Sequence, residues 1–471
     1  MIKKTKIIVT VGPSTENKDM LVKLLNAGMN VARLNFSHGV SAEHQRIIDN
    51  LSSAVKSTGL PCAIIQDLGG PKIRIGDFKT ESIDLKVGQV FTLTTDDIVG
   101  DEKTVSVNYS LLPKEIEKGH VIFLYDGKRK LEVEDVIGNK IITRVLVGGE
   151  IRGRRGMNLP DSNLSVKSLT DKDIKDLDFG IENKVDYVAL SFVRRPSDIL
   201  ELREILKKRK SDIGIIAKIE TPQAIANIDE IIRLSDGIMV ARGDLAVEVP
   251  FEQVPGIQKM LINKCNNSGK PVITATHMLE SMIKSPTATR AEVSDVANAI
   301  LDGTDAIMLS GETALGEYPF EAVSVMANIA KEIEKNYAER PIVRVGFDGE
   351  IDVSDSITSS VVKTAHDVGA TIIVALTDSG FTARMISRYK SHSTILALSP
   401  NDRTSRKLLL VGGCVSKTVP RYSTMKDVFK IVSEYCLSEK LAKKGDKVVI
   451  AAGVPFNTKG LSTNMMLVQT L

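Results

Sequence analysis

Short apolar runs ending in polar or charged residues recur along the chain, and between them lie stretches whose apolar residues fall at helical spacing. Residues 213–217 are apolar and close on Lys218-Ile219-Glu220, and 236–241 close on Arg242-Gly243-Asp244. Runs this short, with no helical period, predict interior strands. The same pattern predicts strands over 7–11, 30–35, 63–67, 270–276 and 305–310, with helices over 19–26, 198–208 and 252–266. Strand and helix alternating about eight times predict an α/β chain folded as a parallel TIM-type (β/α)8 barrel, in which the polar strand ends share one rim. Along a strand, Lys218 and Glu220 point the same way, so an ammonium stands beside a carboxylate. A single pair of this kind reads most simply as a structural ion pair. Its repetition at several strand ends reads as charge gathered at one end of a sheet, which suits a divalent metal and an anionic substrate.

The rhythm breaks twice. Residues 72–167 turn to short alternating segments, among them 82–85, 90–93, 121–124 and 140–143, separated by Gly and Asp turns. They predict a small β-barrel module (71–167) inserted as a lid into a barrel made of 1–70 and 168–340. The second break is near Arg340-Pro341, before Gly346-Phe347-Asp348-Gly349-Glu350. Beyond it, strands over 371–376, 394–398 and 447–451 alternate with helices, predicting an open α/β domain over 341–471.

Composition narrows the function classes. A chain of 471 residues holds roughly two to four domains. A net charge of +3 with 26% charged residues gives no overall reason to expect nucleic acid or membrane as a partner. Cys62, Cys265, Cys414 and Cys436 lack pair spacing and sit in apolar elements, as reduced cytosolic thiols do. The N-terminal residues run straight into a strand with no hydrophobic leader, so the expectation is a soluble cytoplasmic protein.

Five ordered motifs carry a resemblance that covers essentially the whole chain. They are Asn30-Val31-Ala32-Arg33-Leu34-Asn35-Phe36-Ser37-His38-Gly39, Asp67-Leu68-Gly69-Gly70-Pro71-Lys72-Ile73-Arg74, Ala217-Lys218-Ile219-Glu220, Val240-Ala241-Arg242-Gly243-Asp244-Leu245 and Leu309-Ser310-Gly311-Glu312-Thr313-Ala314. In order and spacing they closely resemble the pyruvate kinases. The resemblance implies a glycolytic phosphotransferase that moves the phosphoryl group of phosphoenolpyruvate to ADP, giving ATP and an enolate that is protonated to pyruvate. It implies Glu220 and Asp244 as ligands of Mg2+ or Mn2+, and Lys218 beside the transferring group. Arg33 and Arg74 supply forks for phosphate oxygens, though each alone equally describes a surface ion pair. Gly243 and Asp244 match the segment that holds the substrate carboxylate at a helix start. Thr276 matches a threonine near the carbon that is protonated, although its hydroxyl is too weak an acid to be the ultimate proton source. Asn35, His38 and Arg155 match the nucleotide side, where His38 equally reads as a packed rim residue. Family members are usually homotetramers.

Several positions depart from the family pattern. A K+ region matches Asn35, Ser37, Asp67, Leu68 and Lys72, but Lys72 stands where many members have glutamate and Leu68 replaces an oxygen ligand. A fixed ammonium there predicts that K+ is not required. His277 replaces a usual glutamine, and Tyr125-Asp126-Gly127 replaces a usual pair of aspartates in the lid. In the C-terminal domain, the turn Thr377-Asp378-Ser379-Gly380-Phe381-Thr382 and the loop 454–460 resemble a site for a phosphorylated effector, implying allosteric control. In isolation that turn is an ordinary capped helix start. Two rival functions share parts of this pattern. A metal-dependent barrel lyase or aldolase needs neither the lid nor the constellation of Arg33, Asn35 and His38, and a non-catalytic phosphate sensor needs neither Lys218 nor two acidic metal ligands.

Overall fold

The computed structural model describes residues 2–162, 164–335, 352–458, 460 and 462–471. Eight parallel strands close a barrel: β1 (Lys6–Thr10), β2 (Val31–Asn35), β3 (Ala63–Asp67), β4 (Tyr187–Leu190), β5 (Gly214–Ile219), β6 (Gly237–Ala241), β7 (Val272–Ala275) and β8 (Ala306–Leu309). Each pairs with its neighbours in chain order, and β8 pairs back onto β1. Helices 198–208 and 252–266 of the sequence reading appear as Pro196–Lys208 and Val254–Asn267, the latter preceded by a short 3-10 turn at Phe251–Gln253. The strand Tyr187–Leu190 had no counterpart among the expected strands.

Inward-facing residues follow the two-residue strand period. Ile8, Val31, Ile65, Ala189 and Ile216 belong to one buried apolar cluster inside the barrel. Two residues further along each chain stand Thr10, Arg33, Asp67, Ser191 and Lys218. The layer above the apolar filling is therefore polar at five of the eight strands, and this layer forms the rim.

The inserted segment is built of strands packed on one apolar core that includes Ile75, Phe91, Leu93, Ile122, Leu131, Ile141 and Ile151. Its pairing is laid out as a six-stranded sheet and a two-stranded ribbon, Ser82–Leu85 with Gly149–Arg152. The C-terminal domain is a five-stranded sheet of β9 (Ile372–Leu376), β10 (Thr394–Ser399), β11 (Cys414–Thr418), β12 (Lys447–Ala452) and β13 (Met465–Thr470), parallel except for the β12–β13 pair. The expected break at Arg340-Pro341 and the segment from Gly346 to Glu350 lie outside the described residues, as does Lys459 of the late loop.

This last domain closes the bottom of the barrel, opposite the polar rim. Leu409 and Leu410 join the apolar cluster inside the barrel, beside Tyr187, Ile216 and Met239. Polar contacts at the strand starts fix the dock: Arg406 Nε donates to Asp186 at 2.9 Å, Tyr187 donates its hydroxyl to the Lys407 carbonyl at 3.0 Å, and Lys390 pairs with Asp305 at 3.0 Å. Burial pushes the Asp186 carboxyl up, and the Arg406 guanidinium partly offsets it. Among the described residues, no helix is long and apolar enough to cross a membrane. Leu410 is fully buried at this junction, whereas Val87 on the lid is 72% exposed. Leu410→Ala therefore destabilises the chain by about 2–5 kcal/mol, seen as a clear fall in apparent melting temperature, while Val87→Ala leaves the melting curve within error.

Candidate active site

Asp67 ends β3 inside the barrel and carries two cations. Its Oδ2 accepts from Arg33 Nε at 2.7 Å, and its Oδ1 lies 3.3 Å from Lys218 Nζ. Arg33, from β2, also donates to Thr10 Oγ1 at 3.0 Å. Burial alone would push the Asp67 carboxyl up. The Lys218 ammonium and Arg33 guanidinium outweigh it and hold the group below the usual carboxylate range.

Lys218 Nζ donates to Ser191 Oγ at 2.7 Å and lies 3.0 Å from Glu220 Oε1. Ser191 in turn donates to the Leu68 carbonyl at 2.8 Å. Burial works against the ammonium, but Asp67 and Glu220 overcome it and raise its pKa, so Lys218 stays charged. The Glu220 carboxyl is also pushed up, by burial and then by the charge of Asp244, against the pull of Lys218. Its Oε2 accepts from the Phe192 amide at 2.7 Å, and Oε1 is buried with no hydrogen-bond partner of good geometry. A carboxylate that is buried, short of donors and close to a second acidic group is suited to a cation. Among the described residues, no group of three or more His, Cys, Asp or Glu side chains gathers as a metal cage. Two carboxylates, Glu220 and Asp244, fit a hard divalent ion that takes its other oxygens from water and substrate.

Asp244 lies in the first turn of the helix Arg242–Glu248, directly after β6. Beside it, Thr276 Oγ1 accepts from the Gly243 amide at 2.7 Å and donates to the Ala275 carbonyl at 2.6 Å. Thr276 and His277 both have positive φ, 69° and 53°, which is strained for side chains of these shapes. A Cβ at position 243 would stand 3.3 Å from Thr276 Oγ1 and 3.5 Å from His277 Cε1, so glycine permits this close approach. Arg242 holds the turn from outside: it donates to the Thr276 carbonyl at 2.9 Å and reaches Asp295 through two 2.7 Å bonds.

The lid meets this rim at the far end of the same helix. Asn158 Nδ2 donates to Glu248 Oε1 at 2.7 Å, and a Cβ on Gly127 would touch Val247 at 3.4 Å. The Glu248 carboxyl is pushed up to about 7 by burial, then by the charges of Asp244 and Glu220, against the hydrogen bond from Asn158. Lys72, Phe192, Asp244 and Glu248 line one cleft between lid and barrel. Arg74 pairs by a β-bridge with Gly156 and donates to the Arg154 carbonyl at 3.1 Å. Arg155 lies over the Tyr125 ring.

The sequence-predicted residues thus fall into groups. Arg33, Asp67, Lys218 and Glu220 form one network, and Gly243, Thr276 and His277 form a second cluster beside Asp244. Lys72, Arg74, Arg155 and Tyr125 belong to the lid side. Asn35 accepts from the Ser37 amide at 3.1 Å, and Ser37 and His38 are exposed. Leu68 is fully buried among apolar side chains. In the C-terminal domain, Thr377, Ser379, Phe381 and Thr382 line a cavity of about 320 Å3 with Tyr422 and Phe456. The Gly380 amide donates to Thr377 Oγ1 at 2.9 Å. Sequence reasoning missed Ser191, Thr10, Asn158 and Glu248. Ser191 and Thr10 were accessible to the strand-end pattern, whereas the contact between Asn158 and Glu248 joins two domains and leaves no local signal.

Comparison with known proteins agrees with this geometry over the whole chain. The pyruvate kinase barrel domain family matches residues 2–323, and the pyruvate kinase alpha/beta domain family matches residues 355–469. A pyruvate kinase of Geobacillus stearothermophilus is 46% identical over 475 residues, covering 100% of this chain and 81% of the relative. One from Staphylococcus saprophyticus is 46% identical over 470 residues, covering 99% and 80%. A crystal structure of a pyruvate kinase from Cryptosporidium parvum superposes with a TM-score of 0.92 at 38% identity, covering 99% of this chain and 96% of that one. With a closed parallel barrel, a strand-rich insertion and a C-terminal α/β domain in the same order, the chain belongs to the pyruvate kinase family, the phosphotransferases of glycolysis that pass a phosphoryl group from phosphoenolpyruvate to ADP.

Proposed function

We propose that in this chain the polar layer at the barrel mouth carries out the transfer, with Lys218 as the charge that stabilises it. The observation that supports this is the ammonium of Lys218, buried yet held charged between Asp67 and Glu220 and steered by Ser191. Phosphoryl transfer needs neutralised charge and in-line placement more than covalent help. The P–O bond to the enol oxygen breaks as a β-phosphate oxygen of ADP bonds to phosphorus. Lys218 faces the negative charge left on the enolate oxygen, and Arg33 offers its fork to the phosphate. Glu220 and Asp244 would hold Mg2+ or Mn2+, which supplies further charge neutralisation. The Gly243 amide is already donating to Thr276 Oγ1, so the substrate carboxylate takes that amide by displacing the threonine hydroxyl. The enolate then gains its proton at carbon from solvent, with Thr276 positioning water. Arg74, Arg155, Asn35 and His38 serve the nucleotide side. The enzyme works in the cytoplasm as a homotetramer.

The rival lyase and sensor readings lose ground, because the lid and the Arg33 side of the rim are both built and Lys218 is kept charged. In an assay coupled to lactate dehydrogenase, product forms only when ADP is present. Lys218→Met lowers kcat by about 10²–10³-fold and changes the KM for phosphoenolpyruvate less. Retained turnover refutes the assigned role.

Lys72 supports independence from K+. Its side chain lies against Gly156, it lines the cleft with Asp244, and among the described residues its ammonium makes no hydrogen bond or ion pair. Leu68 is sealed in apolar packing and offers no side-chain oxygen. In buffer free of sodium and potassium the enzyme runs at full rate, and adding K+ leaves the rate within about twofold. A large activation contradicts the reading.

The cavity under Thr377, Ser379, Phe381 and Thr382 is suited to a phosphorylated effector, with the polar turn lining one side and Tyr422 and Phe456 forming an aromatic wall. A thermal-shift screen of fructose bisphosphate, ribose 5-phosphate and AMP yields a stabilising shift with at least one. No response to any of them removes the effector site.

A further inference from the structure

Three lid cations, Lys72, Lys128 and Arg155, make no ion pair among the described residues, whereas their neighbour Arg154 is tied to Asp77 at 2.6 Å. The Arg155 guanidinium makes no hydrogen bond either, and its Nε is buried without a partner. What it does have is an aromatic ring. Arg155 Cζ lies 4.7 Å from the Tyr125 ring centroid, and Lys128 Nζ lies 4.6 Å from the same centroid. Tyr125 is half-buried and takes φ 56°, followed by Asp126 at 54° and Gly127 at 81°, so three successive residues adopt the left-handed conformation to turn the ring toward these cations. The same turn sets Gly127 against Val247, at the end of the helix that carries Asp244.

A carboxylate in place of this ring would also orient Arg155, but it would cancel the charge that an incoming polyanion needs. An aromatic face attracts a cation through its quadrupole and leaves the net charge intact. It also replaces part of the hydration that a half-buried guanidinium has lost, without occupying its donors. We propose that Tyr125 is a positioning residue for the nucleotide: its ring holds Arg155 and Lys128 as an oriented, un-neutralised pair of cations for the phosphates of ADP. The ligand class follows from the chemistry, since two adjacent cations with free donors suit a di- or triphosphate rather than a single carboxylate. This rests on the reading of Arg155 as a nucleotide-side residue and adds the element that sets its charge and direction.

Steady-state kinetics on the full-length enzyme test it. Tyr125→Leu raises the KM for ADP about fivefold, with kcat at saturating ADP and the KM for phosphoenolpyruvate within about twofold of the parent. Tyr125→Phe, which keeps the ring, behaves as the parent does. In an Arg155→Met background, Tyr125→Leu adds less than it does alone. A ring that serves only to fold the lid would instead lower the melting temperature and shift both KM values and kcat together, in Phe and Leu variants alike or in Leu regardless of Arg155. That pattern, or an unchanged KM for ADP in Tyr125→Leu, overturns the proposal. If Arg155→Met itself leaves the KM for ADP unchanged, the underlying nucleotide-side reading fails. If Arg155→Met raises it and Tyr125→Leu does not, only the role of the ring falls.

Discussion

One carboxylate holding two cations at the mouth of the barrel is the constraint around which the site is arranged. Asp67 is buried, and an isolated charge there would be costly. Arg33 on one side and Lys218 on the other make its ionised form the stable one, and Asp67 in turn keeps Lys218 protonated where burial would neutralise it. The dependence is mutual, so the network exists only if β2, β3 and β5 are in register. The barrel supplies that register through an apolar filling that continues strand by strand beneath the polar layer. Packing and charge placement are thus the same decision, taken at alternate residues of the same strands.

The two ends of the barrel divide the labour. At the bottom, Leu409 and Leu410 complete the apolar filling, and Asp186 and Asp305 anchor the C-terminal domain at the starts of β4 and β8. Leu408 belongs to the same 3-10 turn, Leu408–Leu410, and stands within 3.1 Å of where a side chain on Gly380 would begin. The turn under the C-terminal cavity and the filling of the barrel therefore touch through three consecutive leucines.

Much of this architecture was legible in the sequence because strand ends and helix periods are local signals. The runs closing on Lys218-Ile219-Glu220 and on Asp244 pointed to two carboxylates at the rim from neighbouring residues alone. β4 was missed although it is no shorter than β7 and β8, and the role of its end comes from Ser191, which acts only once Leu68 and Lys218 arrive from other strands. Asp67 was grouped with a K+ region. Nothing in Asp67-Leu68-Gly69-Gly70 reveals that Arg33 and Lys218 converge on its two oxygens. The contact between Asn158 and Glu248 was illegible for the same reason, since it is created by how the lid settles on the rim.

The segment around Thr276 shows why such convergence matters for chemistry. Two adjacent non-glycine residues in the left-handed region cost on the order of 1–3 kcal/mol each, and nothing local would hold them there. Arg242 does so from the neighbouring strand end: its Nε donates to the Ala275 carbonyl, its Nη2 donates to the Thr276 carbonyl, and its two terminal nitrogens pair with Asp295. The result is a threonine hydroxyl fixed on the Gly243 amide. On the proposed reading, a substrate carboxylate would exchange one acceptor of that amide for a better, charged one and free the hydroxyl for water. The strained turn is thus a preset position, and the residue that fixes it, Arg242, is not among the groups proposed to touch the reacting atoms.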